Sequence, residues 1–287
     1  MKRRLKFLTL LLLCVCPSLA AQERELGEEV EFLCSEQRGG RAFGSPQAQD
    51  VTFYILRQFR NAGLRASVQS FGYGGKVGHN VVGVTKGWFR RYVVVSAYYD
   101  GFGVLDGELY PGADSNASGV AVLLSLVRSL PVFCDGDTGL IFAAFDAHNA
   151  GMSGSKEFLE AIRGEYNIVQ AVNLDILGSS LVPVHSGRQD YLIALGAGTH
   201  RLSIDSANRD FGLDIAYDYY GSEAFTDLFY RKIGDQRWFL EAGIPSVMFT
   251  SGITMNTNKS TDTPDRLDLP VLGTRASFIK KWLLSFL

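Results

Sequence analysis

The sequence predicts an α/β fold in which a mostly parallel central sheet is flanked by helices on both faces. Three continuous apolar runs, at residues 92–99, 140–145 and 168–177, are typical of strands that are buried on both faces. Between the first two runs, apolar residues recur with the period of a helix over residues 120–127. Strands that alternate with helices in this way indicate a parallel sheet that is covered on both sides.

The elements before these runs are predicted to be helical. Residues 23–35 carry apolar side chains at helical spacing and predict a first helix. A second helix is predicted from Pro46 to about Ala62, because Ser45 is a good N-cap and proline is favoured at the first helical position. Gly63 is placed as the C-terminal stop of this helix.

The later elements continue the alternation. We expect a helix near residues 155–163, late strands at 191–195 and 246–249, and a closing helix marked by apolar residues over 278–283. The chain has no internal repeat and no obvious linker. A single α/β domain over residues 22–287 is therefore predicted.

Composition and charge exclude several classes of protein. Hydrophobic residues make up 46% and charged residues 20% of the 287 residues, which is ordinary for a globular protein and excludes disorder, collagen and coiled coil. The 28 basic and 30 acidic residues give a formal charge of −2. Without a basic excess, we expect no nucleic-acid partner.

The first 21 residues have the pattern of a secretory signal peptide. A basic start precedes an apolar stretch at residues 7–15, and small residues at 18–21 supply a cleavage site. The alternative is a membrane anchor, but the apolar stretch is too short to span a bilayer comfortably. We therefore predict a secreted or periplasmic protein with no membrane span once residues 1–21 are removed. Removal leaves 24 basic and 30 acidic residues, a net charge of −6.

Removal of the leader also leaves two cysteines, Cys34 and Cys134. Two cysteines in an exported protein could form one disulfide bond. The alternative is a pair of buried thiols. The sequence leaves both possibilities open, because pairing depends on the distance between the two Cα atoms.

Polar residues follow each of the three predicted buried strands. Asp100 follows the first run, residues 146–149 the second, and Asp175 lies near the end of the third. The polar loop 111–119 leads into the helix between the first two strands. Each residue alone is explained as a cap or a turn. Together they lie where the carboxyl ends of parallel strands form a crevice, which is the usual ligand site of such sheets.

Eight short motifs occur in order along the chain. They are GRAFGS at 40–45, FRNAGL at 59–64, AYYD at 97–100, PGADSNASG at 111–119, FDAHNAGMSGS at 145–155, NLD at 173–175, EAGIP at 241–245 and TDT at 261–263. In these motifs the chain resembles the secreted zinc aminopeptidases of metallopeptidase family twenty-eight, which include relatives of glutaminyl cyclase. The resemblance covers most of the chain after the leader and implies a zinc-exopeptidase-like fold, also described as phosphorylase/hydrolase-like.

The resemblance also implies a particular metal site. Two zinc ions about 3.5–4 Å apart polarise a carbonyl and activate a bridging water. The family supplies a His from His-x-Asp, a bridging Asp from Gly-Ala-x-Asp and a Glu-Glu pair. The first Glu of the pair is the general base and the second is a ligand. A further Asp and a final His complete the set of ligands.

Three of these ligand positions carry neutral side chains in this chain. Tyr98 stands where the resemblance places the His of His-x-Asp, and Ser115 stands where it places the bridging Asp. The final His corresponds to Asn258, four residues before the Asp-Thr pair. Serine and asparagine are weak zinc ligands, and a tyrosine hydroxyl keeps its proton at neutral pH.

Of the remaining positions of the family's site, two carry different residues and two carry the expected aspartate. His148 and Asn149 replace the Glu pair, so His148 occupies the general-base position. The Asp of His-x-Asp, which lies behind the metal ligands, is present as Asp100. Asp175 is the one surviving ligand. One carboxylate cannot balance two zinc ions, so we predict a degenerate site with no metal and no cofactor.

The first functional hypothesis is therefore an exported, catalytically inactive member of the family. It would bind a peptide or another small-molecule ligand in the crevice at the strand ends. A second hypothesis is a residual or altered metal-dependent aminopeptidase or cyclase-type hydrolase. In that case His148 and Asp175 would hold zinc with Asp114 or Asp146.

A third hypothesis is a new nucleophilic site. Ser115, His148 and either Asp175 or Asp100 supply the residue types of a hydrolase triad. No Gly-x-Ser-x-Gly elbow presents the serine, however, which disfavours this hypothesis.

Overall fold

The computed structural model describes residues 19–287, so most of the predicted leader lies outside the described residues. Ten strands are defined within this range. They are β1 Arg65–Tyr73, β2 Lys76–Val84, β3 Arg91–Tyr98, β4 Gly103–Leu105, β5 Glu108–Tyr110, β6 Thr138–Phe145, β7 Ile168–Leu174, β8 Tyr191–Leu195, β9 Asp214–Ala216 and β10 Ser246–Thr250.

Eight α-helices are defined in the same range, together with short 3₁₀ and π turns. The helices are α1 Leu19–Cys34, α2 Pro46–Asn61, α3 Ser118–Ser129, α4 Ser153–Ile162, α5 Arg201–Asn208, α6 Glu223–Asp227, α7 Gln236–Glu241 and α8 Leu269–Leu283. Within residues 19–287, no helix is both long enough and apolar enough to cross a bilayer.

Eight of the strands form one mixed sheet in the order β1-β2-β6-β3-β7-β10-β8-β9. The four central strands β6, β3, β7 and β10 run parallel to one another. The β1–β2 hairpin pairs antiparallel with β6 on one side, and β8 pairs antiparallel with β10 on the other. The prediction of a mostly parallel central sheet is confirmed.

The central strands divide their side chains between two cores. In β3, Val93 and Val95 point to the core that α1, α2, α3 and α8 cover, whereas Val94 and Tyr98 point to the opposite core. The second core contains Phe158 of α4 and Phe239 of α7. This alternation explains why β3 is apolar throughout, since neither of its faces meets water.

Three sequence predictions need correction. The strand predicted at 168–177 ends at Leu174, because Ile176 adopts a left-handed conformation (φ 59°) and turns the chain away from the sheet. The β1–β2 hairpin was not predicted, because β1 is mostly exposed or half-buried, and β2, although five of its nine residues are buried, is interrupted by Gly78 and Asn80. The closing helix is longer than its marked apolar residues and begins at Leu269.

The structure contains Cys34 and Cys134 as free thiols, as in the two-thiol alternative. Cys34 is buried and Cys134 is half-buried. Burial raises the pKa of each thiol to about 11. Both side chains are therefore protonated at neutral pH and act as small apolar groups.

The buried side chain of Arg41 links three separate segments of the chain by hydrogen bonds. The side chain of Arg41 is 1% exposed. It donates hydrogen bonds to the carbonyl oxygen of Leu33 in α1, to that of Tyr99 after β3, and to those of Pro111 and Gly112. The loop that leads into α3 is therefore fixed to α1 and β3 by a single guanidinium group.

Replacing Arg41 by methionine tests this arrangement. We expect Arg41→Met to lower the free energy of unfolding by about 3 kcal/mol or more, because buried carbonyl oxygens lose their donors. The measurement is urea unfolding followed by circular dichroism. The matched control is Arg24→Met on α1, where the side chain is 80% exposed and the expected change is below about 0.5 kcal/mol. Equal effects of the two substitutions would contradict the assignment.

Candidate functional site

A small cavity lies at the carboxyl ends of β3, β7 and β10. Its volume is about 90 Å³. Apolar side chains form part of the wall, among them Tyr219, Phe229 and Met248. Six of the seven sequence-predicted site residues line the same cavity. They are Tyr98, Ser115, His148, Asn149, Asp175 and Asn258.

The loop before α3 is held in place by a carboxylate from the far end of the chain. Asp262 accepts hydrogen bonds from the backbone N–H groups of Asp114 (2.8 Å) and Ser115 (3.0 Å). The Ser115–Asn116 peptide bond is cis. Ser115 is 8% exposed and presents its hydroxyl to the cavity.

Three neutral side chains in the cavity wall are hydrogen-bonded in series. The Ser115 hydroxyl donates to Oδ1 of Asn258 at 3.2 Å. The Tyr98 hydroxyl lies 3.0 Å from Oγ of Ser115, and it is the donor because the Ser115 proton is already used. Burial, and next the charge of Asp175, raise the pKa of Tyr98 well above its usual value. The hydroxyl therefore keeps its proton.

His148 is oriented by a residue that sequence reasoning missed. Its Nδ1 atom lies 2.8 Å from Oδ2 of Asp235, which is fully buried. Ser155 donates a hydrogen bond to the other oxygen of Asp235 at 2.5 Å. The imidazole also stacks on the Tyr98 ring, with ring centroids 3.7 Å apart and planes 8° from parallel.

The charge of His148 follows from these contacts. Burial would lower the pKa of the imidazole, but the carboxylate of Asp235 outweighs this effect and raises the pKa to about 9. His148 is therefore a cation at neutral pH, paired with Asp235. Nδ1 carries a proton in this state and donates it to the carboxylate.

Asp235 escaped prediction because it lies in no recognised motif and is far from His148 in sequence. Its position directly before α7 is that of an N-cap. In the structure its side chain makes no capping hydrogen bond and turns to His148 instead. In the sequence, an aspartate at this position is explained by helix capping alone, so nothing there indicates its contact with His148.

Asp100 lies behind the cavity and does not line it. Its carboxylate accepts hydrogen bonds from the backbone N–H of His148 (2.8 Å) and of Asn149 (3.1 Å), and from the Asn149 amide (3.3 Å). Burial, and next the neighbouring Asp146, raise the pKa of Asp100 to about 7. Asp100 therefore holds the turn that carries His148 and Asn149.

Asp175 faces the cavity and is 5% exposed. Burial raises its pKa to about 6, and nearby His148 opposes that rise. Asp175 is thus mostly ionised at neutral pH.

The other carboxylates considered as metal ligands point elsewhere. Asp114 accepts the N–H of Gly178 at 2.7 Å, and Asp146 accepts the N–H groups of His79 (3.0 Å) and Ala147 (2.8 Å). Neither residue lines the cavity. Among residues 19–287, no three His, Cys, Asp or Glu side chains are placed so that they could share a metal ion.

The residues present do not fit a pair of zinc ions. Zinc sites use neutral imidazole, thiolate or carboxylate ligands. This cavity offers neutral hydroxyl and amide groups, one carboxylate from Asp175, and an imidazole that is protonated and paired with Asp235. The donors are too few and too weakly charged to balance two divalent ions.

The proposed nucleophilic triad is not assembled either. The Ser115 hydroxyl is hydrogen-bonded to Tyr98 and Asn258, whereas His148 is hydrogen-bonded to Asp235. This third hypothesis, which the missing elbow already disfavoured, gains no support from the geometry, because Tyr98 occupies the hydrogen-bonding position beside Ser115 that a triad gives to histidine.

A family model and individual relatives of known sequence both match this chain, and they agree on the family. The model of "Peptidase family M28" matches residues 80–283. A "Probable zinc metalloprotease" of Pyricularia oryzae is 33% identical over 232 residues, which cover 70% of this chain and 45% of that protein. The "Alkaline phosphatase isozyme conversion protein" of Escherichia coli is 26% identical over 168 residues, 50% of this chain and 48% of that protein. The chain thus spans about half or less of these relatives.

Comparison with solved structures agrees on the fold. The zinc aminopeptidase BSAP from Bacillus subtilis superposes with a TM-score of 0.75 at 15% identity, covering 92% of this chain and 94% of that one. The glutaminyl cyclase of Porphyromonas gingivalis superposes with a TM-score of 0.74 at 15% identity, covering 92% and 98%. At this identity the likeness establishes the fold alone.

The His148–Asp235 pair predicts a specific pH dependence. The folded-state pKa of His148, about 9, lies above its ordinary value of 6.5. Stability from this pair is therefore fully present below pH 6.5 and lost as the pH rises through 9. We expect NMR titration of the imidazole to give a midpoint near 9 in the wild type.

The matched variant is Asp235→Asn, which keeps the shape of the side chain and removes its charge. We expect the His148 midpoint to fall well below 9, because burial lowers the pKa and only the smaller effects of Asp175 and Asp100 then oppose it. Identical midpoints in the two proteins would show that Asp235 does not set the charge of His148.

Proposed function

This chain belongs to peptidase family M28, and we propose that it is an exported, catalytically inactive member of that family which binds a ligand in its strand-end cavity. The ligand is a peptide or another small molecule, and nucleic acid is not a partner. Export to the periplasm or the medium is proposed from the leader pattern in residues 1–21.

The observation that carries the proposal is the hydrogen-bonded series of Tyr98, Ser115 and Asn258. These residues stand at three positions where the motifs of the family place metal ligands. The contacts of 3.0 and 3.2 Å join them directly. Protons therefore bridge side chains at positions where the family motifs place metal ligands, which supports the proposal that no ion is held there.

The state of His148 supports the loss of catalysis. A general base must be unprotonated to accept a proton from water. With its pKa raised to about 9, His148 is a cation at neutral pH. The residue at the general-base position thus cannot act as a base under ordinary conditions.

The size of the cavity limits what the ligand places there. The volume of about 90 Å³ is several times the roughly 10–15 Å³ that a cavity needs to hold one water molecule. The site accommodates one small group, such as a short side chain or the end of a longer molecule. Its wall combines polar side chains with Tyr219 and Phe229, whose stacked rings lie 4.3 Å apart.

The decisive test is the metal content and activity of the purified protein. We expect no zinc above background after incubation with zinc and dialysis, and no turnover of aminoacyl or N-terminal glutaminyl substrates. A chelator is expected to leave the melting temperature unchanged, because nothing bound to the folded state is removed. Elemental analysis, the two activity assays and calorimetry provide the readouts.

The positive control restores the ligand types of the family at five positions: Tyr98→His, Ser115→Asp, His148→Glu, Asn149→Glu and Asn258→His. This variant should acquire zinc. If the wild type instead holds stoichiometric zinc and turns over either substrate, with His148→Ala removing both properties, the residual-enzyme alternative is correct.

The binding half of the proposal is tested separately. We expect amino acids or dipeptides with small side chains to raise the melting temperature by about 3 °C or more at saturating concentration. Ile253 lines the cavity and is 44% exposed, so Ile253→Trp should cover the opening and abolish the shift. Leu202→Trp, at a residue outside the cavity wall, is the control. An equal shift in both variants would place the ligand elsewhere.

A further inference from the structure

The end of the sheet opposite the cavity is here named the basal end. It is formed by the loops that precede the parallel strands, including residues 85–90 before β3 and 130–137 before β6. The two loops are joined, because the backbone N–H groups of Arg90 and Arg91 both donate to the carbonyl oxygen of Asp137 (3.0 and 3.3 Å). They therefore present one continuous surface.

Large apolar side chains are exposed on this surface. Trp88 is 100% exposed, and Val132 and Phe133 in the neighbouring loop are 79% and 46% exposed. Leu202, 88% exposed, lies at the same end, because β8 runs antiparallel to β10 and leads into α5 there. Contiguous exposed apolar surface marks sites of interaction with proteins or membranes, and Trp88, Val132 and Phe133 lie on the two joined loops.

Basic residues surround Trp88. Lys86 and Arg90 are exposed, and Lys86 forms no ion pair among residues 19–287. The neighbouring loop carries two acidic residues, Asp135 and Asp137, and Oδ1 of Asp137 lies 3.7 Å from Nε of Arg90. Tryptophan is enriched at membrane–water interfaces, and basic side chains are attracted to anionic headgroups.

The chain also enters the fold at the basal end. Glu25, in the second turn of α1, pairs with Arg128 at 2.6 Å. Arg128 lies in the last turn of α3, directly before the loop that carries Val132. The first described turn of α1 therefore lies on this side of the protein.

We propose that the basal end is a docking surface for a lipid bilayer with anionic headgroups. Trp88 and its apolar neighbours enter the interfacial layer, and the basic side chains meet the headgroups. The cavity at the opposite end then faces away from the membrane. This proposal is independent of the state of the metal site, and it holds whether or not the chain is catalytic.

The test is vesicle flotation with processed protein, in which loss of residues 1–21 is verified by mass spectrometry. Vesicles of phosphatidylcholine with and without phosphatidylglycerol are compared. We expect binding to the anionic vesicles, weakened by added salt, and a blue shift of tryptophan fluorescence on binding. Trp88→Ala should lower the partition coefficient about tenfold and remove the blue shift.

The matched control is Phe225→Ala. Phe225 is also aromatic and 53% exposed, but it packs near Tyr219 and Phe229 at the cavity end. The Phe225→Ala variant should bind vesicles as the wild type does. Absence of wild-type binding, or equal binding of Trp88→Ala, overturns the proposal. So does Trp88-dependent self-association in sedimentation without lipid, since the surface would then be an interface between copies of the chain.

Discussion

The cavity depends on the side chain of one buried residue, Asn116. Its amide donates to the carbonyl oxygens of Tyr98 (3.2 Å) and Leu174 (2.9 Å), where β3 and β7 end. Its oxygen accepts the N–H groups of Gly119 (3.2 Å) and Ile176 (2.9 Å). All four hydrogen-bonding positions of the amide are therefore used. This single amide fixes the ends of β3 and β7 relative to the start of α3 and the turn at Ile176. The positions of Tyr98 and Asp175, whose side chains line the cavity, depend on these contacts.

Buried charged side chains also hold the loops around the cavity in place. Arg275, fully buried in α8, donates to the carbonyl oxygens of Leu177, Ser179 and Tyr191, much as Arg41 serves the loop on the other side of the cavity. Each guanidinium satisfies buried carbonyl groups in loops and at the ends of regular elements, such as that of Leu33 in α1 and that of Tyr191 in β8. His148 completes the pattern, since its charge is balanced by Asp235. The loops around the cavity are thus ordered by cations that belong to the chain.

Part of the fold and of the site could be predicted from the sequence, and the physical reason differs from one element to the next. β3, β6 and β7 were predictable because burial on both faces demands an unbroken apolar run. β1 and β2 were not, because one side of the hairpin meets solvent and the glycines, such as Gly72 and Gly78, interrupt the alternation. The convergence of the motif residues at one cavity follows from the parallel topology. The role of Asp235 could not be predicted, because its contact with His148 exists only after α7 packs against α4.

One consequence follows from the direct contact of Tyr98, Ser115 and Asn258. In zinc fingers and many other small metal-binding domains, folding is completed only when the ion is supplied. Here the three loops that carry these residues are closed by bonds that form within the chain itself. The relative positions of these segments are therefore encoded in the chain itself, and a change in any one of the three side chains alters how the other two are held.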